Sequence, residues 1–373
     1  MSKKTGKETL NTQDIVRRKV QKIETRFELL RTLLSIVIAL GIVLMVIALV
    51  SKQPLEAIKL LLLGPISTFR RFGNVLELMI PLTFTGLAMT IVFKSNRFNM
   101  AADSAFYLSA MTACMVGLYS PFPPVVTIIL ALIAGMITGA LIGFIPAILN
   151  QKFGASELVT SLMLNYVIGF LVKYLFSYVV RDPYNANLQS YPLQDGVNLG
   201  LLIPGTRVHF GLIIVLVVVI AAYILLYKTK WGYALRTTGT NEKFAVYTGI
   251  SVPVVIVLAQ VFGTAIAGLG GAVEMLGIYT RFRWTDSPGY GFDGVILATL
   301  ARNNPAGIPF AAFFLAYIRV GADILNRSAD IPAEIISVVQ ATIILLIAAK
   351  AFLSTWKQRE IVKQSGALQA GGK

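Results

Sequence analysis

Two charges and a pair of amides mark the stretch SPGYGFDGVILATLARNNPAGI, residues 287–308. Gly289, Gly291 and Gly294 let a chain bend and pack closely. A carboxylate among them, Asp293, can fix that bend by accepting backbone N–H bonds. Further on come Arg302 and then Asn303 and Asn304, which offer amide donors and acceptors just before Pro305, where a helix must break. Between the two charges lies an apolar run too short to cross a bilayer. The arrangement suits a path for a polar, neutral solute. It suits equally a braced helix corner that touches no solute.

Elsewhere the chain has no set of residues for covalent or metal chemistry. One cysteine, Cys114, and one histidine, His209, rule out a disulfide framework and a Cys/His metal cluster. Both are read as structural. There is no GxxxxGK[ST] phosphate loop and no Ser/His/Asp constellation. A membrane enzyme is therefore disfavoured, and no cofactor or metal is expected on this chain. Any energy for active transport must be released on another one.

The elements that position these residues are helices in a membrane. Apolar residues make up 56% of the chain and charged residues 14%, with a mean hydropathy of +0.73. Soluble domains carry roughly 25% charged residues. Runs at 33–50, 75–93, 125–149 and 211–227 reach the length of a bilayer core. They lack the alternation of barrel strands. The fold class is all-α, a polytopic transmembrane bundle of about ten spans, between roughly eight and eleven. Spans are placed near 33–51, 75–93, 99–118, 124–149, 158–180, 211–227, 252–278, 291–301, 306–323 and 335–352. The 291–301 and 306–323 runs read together as two half-helices around a broken Asn303-Asn304-Pro305 corner. Irregular backbone at membrane depth survives only where protein or a water-filled cavity buries it, and broken helices often mark a substrate route.

Charge sets the orientation. The net charge is +15, yet most of the 33 lysines and arginines fall on one side if the N-terminus is inside, far fewer fall outside, and Lys173 is among those within a span. That bias places both ends in the cytoplasm and argues against nucleic acid as a partner. Residues 1–32 form a basic cytoplasmic segment whose Arg17, Arg18, Lys19, Lys22 and Arg26 suit anionic lipid headgroups or a binding partner. The apolar run from Leu33 is followed by no small-residue cleavage site and reads as a retained helix rather than a signal peptide. The transmembrane body is 33–352, and 353–373 is a cytoplasmic tail.

Two connecting segments are long. Residues 181–210 face outside and carry turn formers; they can cap a path, dock a partner or merely connect. Residues 228–250 face the cytoplasm. There a short helix from Asn241 to Tyr247 is expected, with Asn241 as its cap and Gly249 as its end. Phe244 and Tyr247 fall three apart on one face, as a docking surface or as rings laid on the membrane.

Ladders of small residues, Gly135-Gly139-Gly143 and Gly263-Ala267-Gly271, suit close helix crossings, within the chain or with a second subunit. Ionisable residues in or beside the spans are Glu77, Asp103, Glu157, Lys173, Glu274, Asp293, Arg302 and Glu334. Only Asp103 and Glu274 lie a turn or more inside. That is thin material for a proton relay, so an ion-driven carrier is the weaker reading.

Four stretches carry a resemblance: RFNMAADSAFYLSA (97–110), ELVTSLMLNYV (157–167), WGYALRTTGTNEKFAVYTGI (231–250) and SPGYGFDGVILATLARNNPAGI (287–308). Over residues 75–352 the chain resembles the permease subunit of bacterial ABC importers for simple sugars and nucleosides, the nucleoside branch more than the ribose branch. The resemblance implies a multi-pass protein of the bacterial cytoplasmic membrane, forming a path for nucleosides or related small polar solutes. A simple sugar is the alternative substrate, and a stand-alone secondary transporter or channel the alternative class. It implies a second permease subunit, an extracytoplasmic binding protein or lipoprotein, and a cytoplasmic ABC ATPase that holds ATP and Mg. Coupling to that ATPase would fall to Glu242, Phe244, Ala245 and Gly249, with Tyr247 beside them. The path would include Asn99, Asp103, Asn165, Asn303 and Asn304. Two departures stand out. The family's Gly-Ala-Glu-Gly-Gln is here Ala101-Ala102-Asp103-Ser104-Ala105, and its usual alanine pair in the coupling loop is Phe244-Ala245.

Overall fold

The computed structural model describes residues 54–328 together with Gly41 and Met45. The basic 1–32 segment, most of the first predicted span at 33–51, Glu334, the last span at 335–352 and the 353–373 tail lie outside the described residues. The described residues fall chiefly in one compact unit, Lys59–Ile324.

Their regular structure is helical, and among them no β-strand forms; two isolated bridges, Arg181 with Ser190 and Leu201 with His209, are the nearest approach to one. In chain order the helices are α1 (Pro54–Leu63), α2 (Phe69–Lys94), α3 (Ala102–Tyr119), α4 (Pro124–Phe153), α5 (Glu157–Leu175), α6 (Gly211–Lys228), α7 (Lys230–Thr240), α8 (Glu242–Tyr247), α9 (Val252–Ile278), α10 (Tyr290–Leu300) and α11 (Ile308–Ser328). A π-helical turn, Phe176–Val180, extends α5, and a 3-10 turn, Pro305–Gly307, leads into α11. Among the described residues six helical segments are long and apolar enough to cross a membrane: Phe69–Lys94, Pro124–Phe153, Glu157–Val180, Gly211–Lys228, Val252–Ile278 and Pro305–Ser328. The span expected at 99–118 is present as α3, more polar than those six and largely surrounded by protein. The 291–301 run is α10, whose 11 residues cover only half a hydrocarbon core.

Local signals account for the helix ends. The Thr68 side chain accepts from the Arg71 N–H, and Ser156 from the Val159 N–H. Gly154, at φ +68°, closes α4 in the left-handed region that glycine enters without strain. Pro81 interrupts α2, and the Thr85 hydroxyl donates to the Pro81 carbonyl (3.2 Å).

Helix α9 is the axis of the bundle, and its small residues decide how closely its neighbours approach. A Cβ on Gly135 of α4 would stand 2.6 Å from the Ala272 Cβ; one on Gly143 would stand 2.8 Å from the Thr264 Cβ. Gly139 lies between them, against Gly268. Gly263 meets the Ala88 carbonyl of α2, and Gly271 meets the Phe106 carbonyl of α3. Both ladders thus serve crossings within the chain. Close backbone approach lets dispersion replace the hydrophobic drive that lipid does not supply.

The 181–210 segment is pinned rather than loose. Ser190 N donates to Phe282 O (2.9 Å), Leu193 N to Thr280 O (2.8 Å) and Leu199 N to Leu276 O (2.8 Å), while Arg281 pairs with Asp182 at 2.6 Å. His209 closes the segment. It is wholly buried, its Nδ1 accepts the Gly211 N–H at 3.1 Å, and burial pushes the imidazole down to about 4. It is a neutral packing residue, as expected. At the other end of the bundle Arg97, just after α2, pairs with Glu242 of α8. The two long connecting segments therefore lie at opposite ends of α9.

Candidate functional site

A cavity of about 270 Å³ opens between α3, α5 and α10. Asp103 and Tyr107 of α3, Asn165, Tyr166 and Phe170 of α5, and Phe292 of α10 form most of its wall, and the Lys173–Asp286 ion pair (2.7 Å) stands beside it. The size is just below the usual range for small-molecule sites, about 300–1,000 Å³. Four aromatic side chains share the lining with Asp103, Asn165, Lys173, Asp286 and Ser287, so rings and polar groups meet in one space.

Each polar wall residue is held from behind. Asp103 is 5% exposed, and its Oδ1 accepts the Gly291 N–H at 3.1 Å, a bond spanning 188 residues of chain. Asn165 Nδ2 donates to Met100 O at 3.2 Å, and one turn earlier Ser161 Oγ accepts from Met100 N at 3.0 Å. The Asn165 Oδ1 is buried and has no protein partner. A carbonyl oxygen in that condition either costs stability or serves an incoming donor. The Tyr107 hydroxyl donates to the Trp284 carbonyl (3.0 Å), tying α3 to the segment that carries Asp286 and Ser287.

Residues 97–103 act as a strap across four helices. Arg97 reaches Glu242 on α8 at 2.7 Å. Asn99, 1% exposed, donates through Nδ2 to Gln260 Oε1 of α9 (2.5 Å) and accepts the Ala101 N–H (2.8 Å). Met100 is clamped by α5, and Asp103 holds α10. The strap thus runs from the exposed helix α8 to the wall of the cavity within a single short stretch of chain.

Helix α8 forms as its local sequence dictates. Asn241 Oδ1 accepts the Phe244 N–H at 3.0 Å, and Gly249, at φ +82°, ends the turn by donating to Val246 O (3.0 Å). Phe244 is 53% exposed and Tyr247 89%, so the two rings stand out from the bundle. Ala245, grouped with them by resemblance, faces the other way: it is wholly buried against Val252 and Ile256 and anchors the helix instead of offering it a contact.

Two sequence readings are revised by the geometry. Asp293 accepts no backbone N–H. Its Oδ1 accepts from the Arg319 guanidinium of α11 at 2.6 Å. The carboxylate that holds the glycine bend is Asp103. Gly289 makes that bend at φ +77°, Gly291 packs directly on the Asp103 backbone, and Gly294 lets α10 lie against the Thr85 carbonyl of α2. Arg319, the missed partner, could have been sought: an arginine inside an apolar helix needs an acid. Finally, Asn303 and Asn304 do not share the cavity with Asp103 and Asn165. They sit at the far end of α10, roughly 15 Å along it by helical rise. Arg302 and Asn303 both take left-handed conformations (φ 55° and 54°), Asn303 N donates to Ala298 O (2.7 Å), and Asn304 Oδ1 accepts the Ala306 N–H (3.2 Å). The Asn303 backbone N–H closes the short α10 and the Asn304 side chain caps the turn into α11; of the two half-helices expected here only α10 is short, since Pro305–Ser328 is long enough to cross a membrane. Glu274, the other deep acid, lies 2% exposed on α9 within electrostatic reach of Glu77 and Arg207 and outside the cavity wall.

Comparison with known proteins shows what the chain is similar to. Residues 71–348 match the family described as branched-chain amino acid transport system / permease component. The chain is 28% identical over 338 residues to the glucose ABC transporter permease protein of Haloferax volcanii, covering 87% of this chain and 88% of that one. It is 30% identical to a nucleoside ABC transporter permease protein of Lactococcus lactis, over 80% of this chain and 84% of the relative. With the guanosine ABC transporter permease protein of Bacillus subtilis it shares 29% identity over 74% of this chain and 80% of the relative.

Proposed function

Because the chain belongs to the branched-chain amino acid transport system permease family, we propose that it lines the path of an importer for nucleosides or related small polar solutes, driven by a separate ABC ATPase. The observation that carries this reading is the strap at 97–103, which joins an exposed aromatic helix to the wall of a solute-sized cavity. Force applied at α8 would reach Asp103 and Asn165 through hydrogen bonds and packed helices. Base or sugar ring would stack on Tyr166, Phe170 or Phe292, and hydroxyl or amino donors would meet Asp103 and Asn165. ATP and Mg belong to the ATPase docked at Phe244 and Tyr247. A second permease subunit completes the path, and an extracytoplasmic binding protein delivers the solute. We take the bundle to hold about ten spans in the bacterial cytoplasmic membrane, with both termini inside.

Uptake of tritiated guanosine, with unlabelled uridine and glucose as competitors, tests the substrate class. Competition by glucose alone would favour the sugar reading, which the 28% identity to a glucose permease keeps in view. Asn165→Ala should lower guanosine uptake roughly ten- to a hundredfold, the cost of one buried polar partner, with membrane abundance little changed. If abundance falls in parallel, Asn165 only braces Met100. Orientation has its own measurement. An impermeant maleimide should label a cysteine placed at Tyr184, which is 93% exposed, and spare one at Thr240. The reverse pattern would invert the topology.

A further inference from the structure

Three polar atoms near the base of the strap are buried without partners: Arg97 Nε, Glu157 Oε1 and Gln260 Nε2. They belong to one neighbourhood. Glu157 opens α5 and is 6% exposed; Arg97 and Glu242 both act on it electrostatically, and Gln260 lies beside it. Arg97 meanwhile commits its Nη2 to Glu242 of α8, at 2.7 Å. The Arg97 guanidinium is thus bonded to one carboxylate and within electrostatic reach of a second. The bonded carboxylate is on the exposed helix. The waiting one heads the helix that carries Ser161, Asn165, Tyr166 and Phe170.

We propose that Arg97 is a positioning residue that changes carboxylate partner during transport, from Glu242 on α8 to Glu157 at the head of α5. This rests on the permease reading above and adds the route by which its two ends communicate. The physical case is one of unused bonding capacity. A guanidinium has five donors in a planar fork and can serve a carboxylate through Nε and Nη together. A buried carboxylate oxygen and a buried guanidinium N–H that both lack partners, on side chains within electrostatic reach of each other, are costly in this conformation, and pairing them would favour a second one. Movement of α8 that breaks the Glu242 bond would release Arg97 toward Glu157. Arg97 is two residues from Asn99 and three from Met100, so its shift pulls on α9 and on the Met100 clamp. Asn165 and Asp103 would then move relative to each other, and the cavity wall with them. Gln260, with an unused Nε2 donor, is placed to hold Glu157 while Arg97 is away.

The experiment reads cavity movement directly and needs no substrate. Cys114 is the single native cysteine and is buried, so Ser287→Cys places one reactive thiol at the cavity. The transporter, reconstituted with its ATPase, is labelled with a small maleimide with and without ATP plus vanadate. The parent should show a several-fold change in labelling rate between the two conditions. Glu157→Gln and Arg97→Gln should each abolish that change while ATPase association is retained. Arg97→Glu combined with Glu242→Arg should restore the bond to α8 but not the response, since two carboxylates would then face each other at the head of α5. A parent-like response in either single variant, or in the reversed pair, overturns the partner exchange and leaves Arg97–Glu242 a static brace. A parent that shows no response to nucleotide would instead count against the permease reading itself.

Discussion

Arg319→Leu should remove most of the folded protein from the membrane, and Arg319→Leu with Asp293→Asn should recover much of it. The pair is close, 2.6 Å, and its carboxylate is 5% exposed with one oxygen already lacking a partner. Losing the arginine leaves a charge stranded between α10 and α11. Breaking a buried pair from one side costs about 3–5 kcal/mol, whereas removing both charges is often close to neutral. That is roughly a hundred and fifty- to five-thousandfold in the ratio of folded to unfolded chain. The check is the yield of monodisperse protein after detergent extraction, with a thermal melt of each variant. Equal yields for parent and single variant would show that the pair contributes nothing to folding. A double variant as poor as the single would assign the loss to the packing of the arginine stem.

Phe244→Asp should reduce uptake by about a hundredfold while the protein still reaches the membrane in normal amount. Its ring is exposed on α8, and neither the Asn241 cap nor the buried Ala245 anchor depends on it. The helix should therefore persist with a charge on its docking face. A carboxylate enclosed in an apolar contact without a partner costs several kcal/mol, so co-purification of the ATPase should fall with uptake. Normal uptake and normal co-purification would remove this helix from the coupling mechanism. The substitution also separates the two alternatives for the aromatic pair: rings resting on lipid would lose membrane contact without losing an ATPase.

Some features were legible because their causes lie within a few residues. Apolar length along the chain specifies helices, and eight of the ten expected spans have a counterpart helix among the described residues, six of them long and apolar enough to cross a membrane. The other two expected spans lie outside the described residues. Helix α8 was readable to within a residue, since Asn241 and Gly249 act on neighbours three to five positions away. The broken corner at 303–305 was readable for the same reason.

What tertiary structure decided was which polar group meets which. Asp293 stands among three glycines, and sequence proximity pointed to it as the acceptor for the bend. The acceptor is Asp103, 188 residues away, because Gly291 lets α10 lie directly on the backbone of α3. Asp293 turns to Arg319 instead, across a corner whose folding brings α11 back alongside α10. Asn99, Asp103, Asn165, Asn303 and Asn304 looked alike as polar residues in apolar surroundings. Packing sends two to a cavity, one to a glutamine in α9 and two to a helix break. Burial makes a polar group's partner obligatory, but it does not name the partner. The helix crossings do that, α10 on α2 and α3 above all, and they are set by where glycine lets two backbones touch.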